Sequence, residues 1–160
     1  MAAPRFLVTA SPLDVQAAAS AAAAQTGTVG GLVTFIGVVR AENAGRRVLY
    51  LDYEAYEPLA VRAFAIIAGE AADRWPSTHL VIHHRTGRLE IGDTSIVIAA
   101  ASAHRGPAFE ACRYAIERVK QIAPIWKHEH FDGGEVWVEG ATARPDDEAA
   151  KAEALSRACG

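Results

Sequence analysis

The most constraining feature of this sequence is an almost unbroken apolar run from Thr94 to Ala103. A strand with one face in water alternates apolar and polar residues, whereas a run of this kind is typical of a strand covered on both faces. A helix is predicted directly after it, from Pro107 to about Ile122. Its apolar residues recur at the spacing of a buried helical stripe: Phe109, Cys112, Ile116 and Val119. The chain therefore has to build layers around a central strand.

Further strands and helices are predicted on both sides of this pair. Strands are expected at about 5–9, 29–39, 48–56, 80–85, 125–131 and 136–139, and helices at about 11–25, 58–74 and 145–158. Segments 40–47 and 86–88 are expected as loops, and strand 48–56 as a hairpin partner of strand 29–39. Ser11 is the expected N-cap of the first helix. Three glycines in strand 29–39 are expected to mark bulges or close backbone approaches: Gly30, Gly31 and Gly37.

These elements predict one α+β domain with mostly antiparallel strands and packed helices. It comprises an N-terminal strand and helix (4–27), a core (28–139) and the tail helix, within residues 1–160. With 51% apolar residues the chain can bury a sizeable core without disulfides, and Cys112 and Cys159 are expected as free thiols.

The charge balance disfavours several classes of partner. Asp and Glu outnumber Lys and Arg by 19 to 16, which argues against a general nucleic-acid or membrane-surface binder. No stretch is apolar for long enough to predict a membrane span, and no secretory signal is recognised, so a cytoplasmic location is expected. Phosphate-loop, dinucleotide, serine-hydrolase and C-x-x-C motifs are missing from the sequence.

A first candidate for chemistry is the segment His104-Arg105-Gly106-Pro107, which joins the buried strand to the following helix. The opening N–H groups of a helix lack intrahelical partners and attract anions, and an arginine there can add a bidentate contact. The alternative is an exposed turn whose arginine pairs with a surface acid.

A second candidate is a pair of lysines in a chain that otherwise uses arginine. The chain has 13 arginines but three lysines, and Lys120 and Lys127 flank a helix break at Pro124. Lysine, unlike arginine, can lose its proton and act as a base or nucleophile. The alternative is a solvated helix end, where a cation suits the helix dipole and keeps its proton.

Arg40, Arg46 and Arg47 are a third candidate, as the lining of an anionic pocket, although a solvated loop is the preferred interpretation for Arg46 and Arg47. His128 and His130 would share one face of a strand and supply two metal ligands. No third ligand has a suitable spacing in the sequence, so no metal site is predicted.

Several blocks with a specific order and spacing cover residues 28–139. They are Thr34-Phe35-Ile36-Gly37-Val38-Val39-Arg40, Glu42-Asn43, Leu51-Asp52-Tyr53-Glu54-Ala55-Tyr56, His84-Arg85-Thr86-Gly87, Ile91-Gly92-Asp93, Ser102-Ala103-His104-Arg105, and Lys120 leading to Pro124-Ile125-Trp126-Lys127-His128-Glu129. This series resembles the large, catalytic subunit of molybdopterin synthase.

The resemblance implies an α+β fold containing an α/β-hammerhead, and an activity. This family converts cyclic pyranopterin monophosphate into molybdopterin by installing two dithiolene sulfurs. The sulfur donor is a small ubiquitin-like partner with a C-terminal Gly-Gly thiocarboxylate, whose tail enters a pocket of the large subunit. Large subunits pair as a homodimer, with one small subunit at each outer end of the heterotetramer. No metal or organic cofactor is implied.

The resemblance also implies the site residues. The catalytic residues are Lys120 and Lys127, and the substrate-binding residues are Val38, Val39, Arg40, His104, Arg105, His128 and Glu129. Lys120 is expected nearest the transferring sulfur, as acid–base group or transient nucleophile, with Lys127 supporting charge and position. An arginine that the family carries shortly after Trp137 is displaced here to Arg144. A non-catalytic scaffold that docks the sulfur carrier, or a transferase for another anionic metabolite, are the alternatives.

Overall fold

The computed structural model describes residues 2–24, 27–138 and 140–160. In this part of the chain the strands are β1 (Phe6–Thr9), β2 (Gly31–Val38), β3 (Glu42–Asn43), β4 (Arg46–Ala55), β5 (His79–Arg85), β6 (Gly87–Glu90), β7 (Thr94–Ser102), β8 (Ile125–Phe131) and β9 (Gly134–Val138). The helices are α1 (Val15–Ala23), α2 (Glu57–Arg74), α3 (Arg105–Ile122) and α4 (Glu148–Cys159). No described helix has the length and hydropathy needed to cross a bilayer. The predicted α+β class is confirmed.

The first sheet has the strand order β1-β5-β7-β2 and carries helices on both faces. Its β1–β5 pair is parallel, and its other pairs are antiparallel. Along β7, Ile98 and Ala100 pack into the core under α2 and α3, while Val97 and Ala99 pack against α1. Because successive side chains of a strand point to opposite faces, this strand is covered twice, as its sequence predicts.

Helix α1 uses alanine to approach the sheet closely, since Ala18 and Ala22 are fully buried. Its N-cap is Asp14, whose side chain accepts a hydrogen bond of 2.8 Å from the N–H of Ala17. The predicted cap at Ser11 is wrong because Asp14, three residues nearer the first regular turn, satisfies the free N–H group. The predicted end near Gln25 lies outside the described residues.

The second sheet has the order β3-β4-β8-β9, with β6 also paired to β4. The predicted hairpin of β4 with β2 is wrong, because β2 pairs with β7 and β4 pairs with β8. The intervening segment forms its own hairpin between β3 and β4, across Ala44 and Gly45. Both turn residues have positive φ (49° and 74°), as in the tight turns that match strand twist. The segment predicted as a loop at 86–88 likewise enters strand β6.

Helix α3 begins at Arg105, with Pro107 in its first turn, where proline loses no intrahelical hydrogen bond. Its buried face includes Cys112 and Val119, as predicted, but Phe109 is 62% exposed. The buried positions beside Phe109 are Ala108 and Ala111, and the buried face extends to Tyr114 and Arg118. The helix face turned to the core is therefore rotated away from Phe109 relative to the predicted stripe.

A buried ion-pair network ties α3 to α2 and to the segment that precedes α4. Arg118 has no exposed surface and donates hydrogen bonds of 2.8 and 2.7 Å to the two carboxylate oxygens of Glu70. Its guanidinium also donates to Gln121 and to the carbonyl oxygen of Pro145. Helix α4 is capped by Asp147, whose side chain accepts from the N–H of Ala150. This network fixes the C-terminal half of α3.

Candidate active site

A cleft of about 730 Å³ lies between the two sheets, at the C-terminal end of α3. Strand β2, the end of α3 and strand β8 supply most of its wall. The predicted site residues that line it are Val38, Val39, Arg40, Lys120, Lys127 and Glu129. The structure therefore brings six of the nine predicted site residues together in one cleft.

The two lysines reach this cleft because the chain reverses between them. Lys120 lies in the last turn of α3, which ends at Ile122, and Pro124 cannot continue the helix. Strand β8 then returns along the second sheet and places Lys127 in the cleft wall. Lys120 is exposed at the cleft, whereas the Lys127 side chain is only 26% exposed.

The end of β2 delivers Arg40 through a bulge. The register with β7 shifts between Gly37 and Val38, and a Cβ atom at Gly37 would lie 2.5 Å from the Cγ2 atom of Ile96. Only glycine tolerates that approach, so the predicted role of this glycine is confirmed. Beyond the bulge, the N–H of Val39 donates to the carbonyl of Asp93, and the exposed Arg40 follows.

Glu129 is the only carboxylate among the described residues that line the cleft, and it is 1% exposed. Its two oxygens accept hydrogen bonds from the Asn43 amide (2.8 Å) and from the Arg46 guanidinium (3.3 Å). The Lys127 Nζ atom lies 3.8 Å from Glu129. Arg46 thus makes a specific ion pair rather than lying in a solvated loop. The cations at the cleft outnumber this single buried anion.

The surroundings of Lys127 in the cleft change its proton affinity. Burial lowers the pKa of Lys127 from its usual 10.5, and the positive charges of Arg40, Lys120 and Arg46 lower it further against the opposing effect of Glu129. A lysine of this kind is a better proton acceptor near neutral pH than a solvated one.

The cleft also has a neutral aromatic wall that sequence reasoning missed as functional. Burial lowers the pKa of His84 to about 4, although its ring Nδ1 lies 2.8 Å from the Arg85 carbonyl oxygen. Tyr53 contacts the His84 ring edge-on at 5.0 Å, and burial raises the Tyr53 pKa. The signal available in the sequence was that both residues belong to the blocks quoted for the resemblance.

His104 and Arg105 lie at the opposite end of α3 from the lysines. His104 is the N-cap and precedes Lys120 by sixteen residues, which corresponds to about 24 Å along a helix. Both side chains are exposed. The backbone of Arg105 packs on the start of β2, where a Cβ atom at Gly31 would lie 3.1 Å from the Arg105 Cα atom. Within one chain these residues do not line the cleft.

His128 and Arg144 also lie outside the cleft. Because β8 alternates, Lys127 and Glu129 face the cleft while His128 and His130 face the other side of the second sheet. Asp52 joins the two histidines there, as a group of three residues with potential metal ligands. Arg144 lines a separate cavity of about 510 Å³, beside α2, and pairs with Asp146.

Comparison with known proteins identifies related chains. The model of the family described as MoaE protein matches residues 8–122. The molybdopterin synthase catalytic subunit of Halalkalibacterium halodurans is 52% identical over 109 residues, which cover 68% of this chain and 70% of that protein. The molybdopterin synthase catalytic subunit of Bacillus subtilis is 43% identical over 134 residues, 84% of each chain.

Solved structures share the fold. A molybdopterin synthase structure from Staphylococcus aureus superposes with a TM-score of 0.79 at 37% identity, covering 86% of this chain and 98% of that one. A complex of subunits 1 and 2 of the molybdopterin-converting factor from Helicobacter pylori contains a chain with a TM-score of 0.71 at 24% identity. That chain is covered to 99% and this one to 91%, so the similarity of fold extends over nearly the whole length.

Proposed function

Since the chain belongs to the MoaE family, we propose that it works as the catalytic subunit of a molybdopterin synthase. Its cleft transfers sulfur from the C-terminal thiocarboxylate of a small ubiquitin-like subunit to cyclic pyranopterin monophosphate. In each transfer the thiocarboxylate sulfur forms a bond to a pterin carbon and displaces an oxygen substituent from it. Water then hydrolyses the acyl–sulfur bond, which leaves the sulfur on the pterin and a carboxylate on the small subunit.

The observation that carries this proposal is the excess of cations in the cleft. Lys120, Lys127 and Arg40 line a cleft whose one described carboxylate, Glu129, is already bound by Asn43 and Arg46. Both substrates are anions, one through its thiocarboxylate and the other through its cyclic phosphate. Positive charge in excess of the carboxylates of a partly enclosed cleft attracts such groups and holds them in position.

The two lysines take different roles because their surroundings differ. Lys120 is exposed at the cleft and meets the thiocarboxylate tail, where its charge stabilises the anionic tetrahedral centre at the acyl carbon. Lys127, with its lowered pKa, exchanges the proton that the reaction displaces. Glu129 holds the Lys127 amine in place, while Val38 and Val39 shape the apolar wall beside Arg40.

His104 and Arg105 serve the cleft of a second copy in this proposal. Strand β2 forms an edge of the first sheet. Exposed apolar side chains follow that edge and the adjacent helix: Leu32, Phe35, Ile36, Val38 and Phe109. Antiparallel pairing of two β2 strands about their midpoint sets Gly31 of one copy beside Val38 of the other. Arg105 packs on Gly31 and Val38 lines the cleft, so this homodimer places His104 and Arg105 at the neighbouring cleft.

The assembly follows from the same premise. One small subunit on each large subunit of the homodimer makes a heterotetramer. The C-terminal tail of each small subunit enters the cleft at Lys120. We place the reaction in the cytoplasm, a reducing compartment in which the free Cys112 and Cys159 persist as thiols.

The test is turnover of Lys120→Ala with purified thiocarboxylated small subunit and cyclic pyranopterin monophosphate. We expect turnover to fall about a hundredfold or more, the size of effect seen when a charge-stabilising donor is removed. Affinity for the small subunit and the circular dichroism spectrum should stay unchanged. The matched control is Lys151→Ala, which removes a lysine of α4 that pairs with Glu148 and should keep wild-type turnover.

The scaffold alternative gives a different outcome in the same assay. A wild-type chain that binds the thiocarboxylated subunit but yields no dithiolene product would be a docking module. Near-normal turnover of Lys120→Ala would remove Lys120 from the catalytic site.

A further inference from the structure

We propose that Asp52, His128 and His130 form a binding site for one divalent transition-metal ion, of the zinc type, on the face of the second sheet that points away from the cleft. The site does not depend on the sulfur-transfer proposal, because its three residues lie outside the cleft in which that reaction is proposed to take place. It gives His128 a role other than the substrate contact that the resemblance implies.

The sheet register brings the three residues together. Asp52 on β4 stands directly opposite His128 on β8, and His130 follows two residues later on the same face. One ligand atom from each residue lies within 4.8 Å of the other two. All three side chains are half-buried, with 17% of each histidine side chain and 37% of the Asp52 side chain exposed. The cluster therefore lies at the protein surface, although the His130 Nε2 atom itself is buried.

The contact between His130 and Asp52 has the spacing of two ligands rather than the alignment of a hydrogen bond. The His130 Nε2 atom lies 3.1 Å from the Asp52 carboxylate oxygen. Nevertheless, this buried nitrogen has no hydrogen-bond partner among the described residues. Two ligands held at about 2.0–2.1 Å from a tetrahedral zinc ion are about 3.3 Å apart. The separation of the two atoms is therefore close to that of two ligands of one ion.

The surrounding residues hold the two imidazole rings as a metal site requires. One Glu135 carboxylate oxygen on β9 lies 3.3 Å from His130 Nδ1 and 3.5 Å from His128 Nε2. It orients both rings and leaves Nε2 of His130 and Nδ1 of His128 for the ion. Metal-bound histidines usually have a carboxylate or carbonyl at the second nitrogen. Tyr50 stacks on His130 with ring centroids 4.2 Å apart, and Trp137 stacks on His128 at 4.3 Å. The rings are therefore restrained on both sides of the site.

The ligand set selects the class of metal. Two imidazoles and one carboxylate suit Zn²⁺ and, by the usual order of stability, Cu²⁺ and Ni²⁺, whereas Ca²⁺ and Mg²⁺ prefer oxygen ligands alone. Three protein ligands leave a fourth position for water. A bound ion would link β4 to β8, two strands whose opposite faces carry Tyr53 and Lys127 into the cleft.

The test uses the full-length chain without an affinity tag, in a Cys159→Ser background because Cys159 is an exposed thiol. Zn²⁺ binding is measured by calorimetry, and Co²⁺ binding by its visible absorption bands, which report coordination by nitrogen and oxygen. We expect one ion per chain. Asp52→Asn and His130→Gln should weaken binding about a hundredfold or more. Glu135→Gln should weaken it about tenfold, the usual effect of losing a residue that orients a metal ligand.

The matched control is His79→Gln on β5, a partly buried histidine of the first sheet, which should bind Zn²⁺ as the parent chain does. Binding of less than one ion per chain would overturn the site, as would ligand variants that bind as tightly as the control. If a variant fails to fold, as judged by circular dichroism, the number of ions bound by the parent chain and its Co²⁺ bands decide whether the site exists. Tetrahedral Co²⁺ bands support the site, and absence of these bands at one equivalent overturns it.

Discussion

Two charged clusters that include residues from the last turns of α3, one at Arg118 and the other at Lys120, differ in how their charges are balanced. In the first, the paired network, Arg118 meets both oxygens of Glu70, and Tyr114 donates to the same carboxylate. In the second, the cleft cluster, Lys127 and Lys120 lie near one carboxylate, Glu129, which already has two other donors.

The difference separates charges that hold the fold together from charges that remain available. The strong charge-assisted hydrogen bonds of the paired network are complete within the chain, so it offers little to a ligand. The cleft cluster has surplus positive charge, and repulsion between these charges raises the free energy of the empty cleft. That free energy falls when an anion binds. The following experiments test this contrast, beginning with the largest expected effect.

Arg118→Leu should break the paired network and lower the free energy of unfolding by about 3–5 kcal/mol, because Glu70 is left as a buried charge without its main partner. Urea denaturation at neutral pH measures the change. The control is Arg113→Leu on the same helix, whose 56% exposed side chain pairs with Glu117 and should cost at most about 0.5 kcal/mol. A loss below about 1 kcal/mol for Arg118→Leu would contradict the structural role.

Lys127→Ala should lower turnover about 10²–10³-fold and change the free energy of unfolding by less than about 1 kcal/mol, because Glu129 keeps Asn43 and Arg46. In the wild type, kcat/KM should rise with pH at an apparent pKa below 10.5, since burial favours the neutral amine. That rise should vanish in Lys127→Arg, whose guanidinium stays protonated. An unchanged pH profile would exclude Lys127 as the proton acceptor.

The pH dependence of the unfolding free energy tests whether His84 in the cleft wall stays uncharged. Its folded pKa of about 4 lies below the usual 6.5, so the unfolded chain binds an extra proton between these values. As pH falls from 7 to 4, the wild type should lose about 3 kcal/mol of unfolding free energy relative to His84→Gln. Unfolding free energies that vary with pH in parallel for the two proteins, measured by urea denaturation, would show that folding does not lower the His84 pKa.

Asn43→Ala should have the smallest effect. It removes the 2.8 Å hydrogen bond to Glu129 but leaves the Arg46 and Lys127 contacts. We expect a loss of about 1 kcal/mol in unfolding free energy and a few-fold fall in turnover. A loss above about 3 kcal/mol would mean that Asn43, not the cations, holds the buried carboxylate.

Local sequence patterns were sufficient to predict most helices and strands and the lysines of the cleft cluster, but not the paired network. The Lys120 and Lys127 pair was visible because a helix stop at Pro124 lies between two lysines in an arginine-rich chain. The network of Arg118 was not predicted, since Glu70 lies on another helix and exposed arginines are the common case. The hairpin between β2 and β4 was predicted wrongly, because strand pairing depends on distant segments and not on sequence order.

The sequence by itself determined the α+β class, the doubly covered strand β7 and the family, because apolar periodicity and motif spacing are local properties. Only the tertiary structure decided which charges meet. Sheet register, set by strand pairs up to 83 residues apart, put Glu129 beside Arg46 and placed Asp52 beside His128 and His130. The length of α3 likewise separated His104 and Arg105 from the lysines that the motif order had grouped with them.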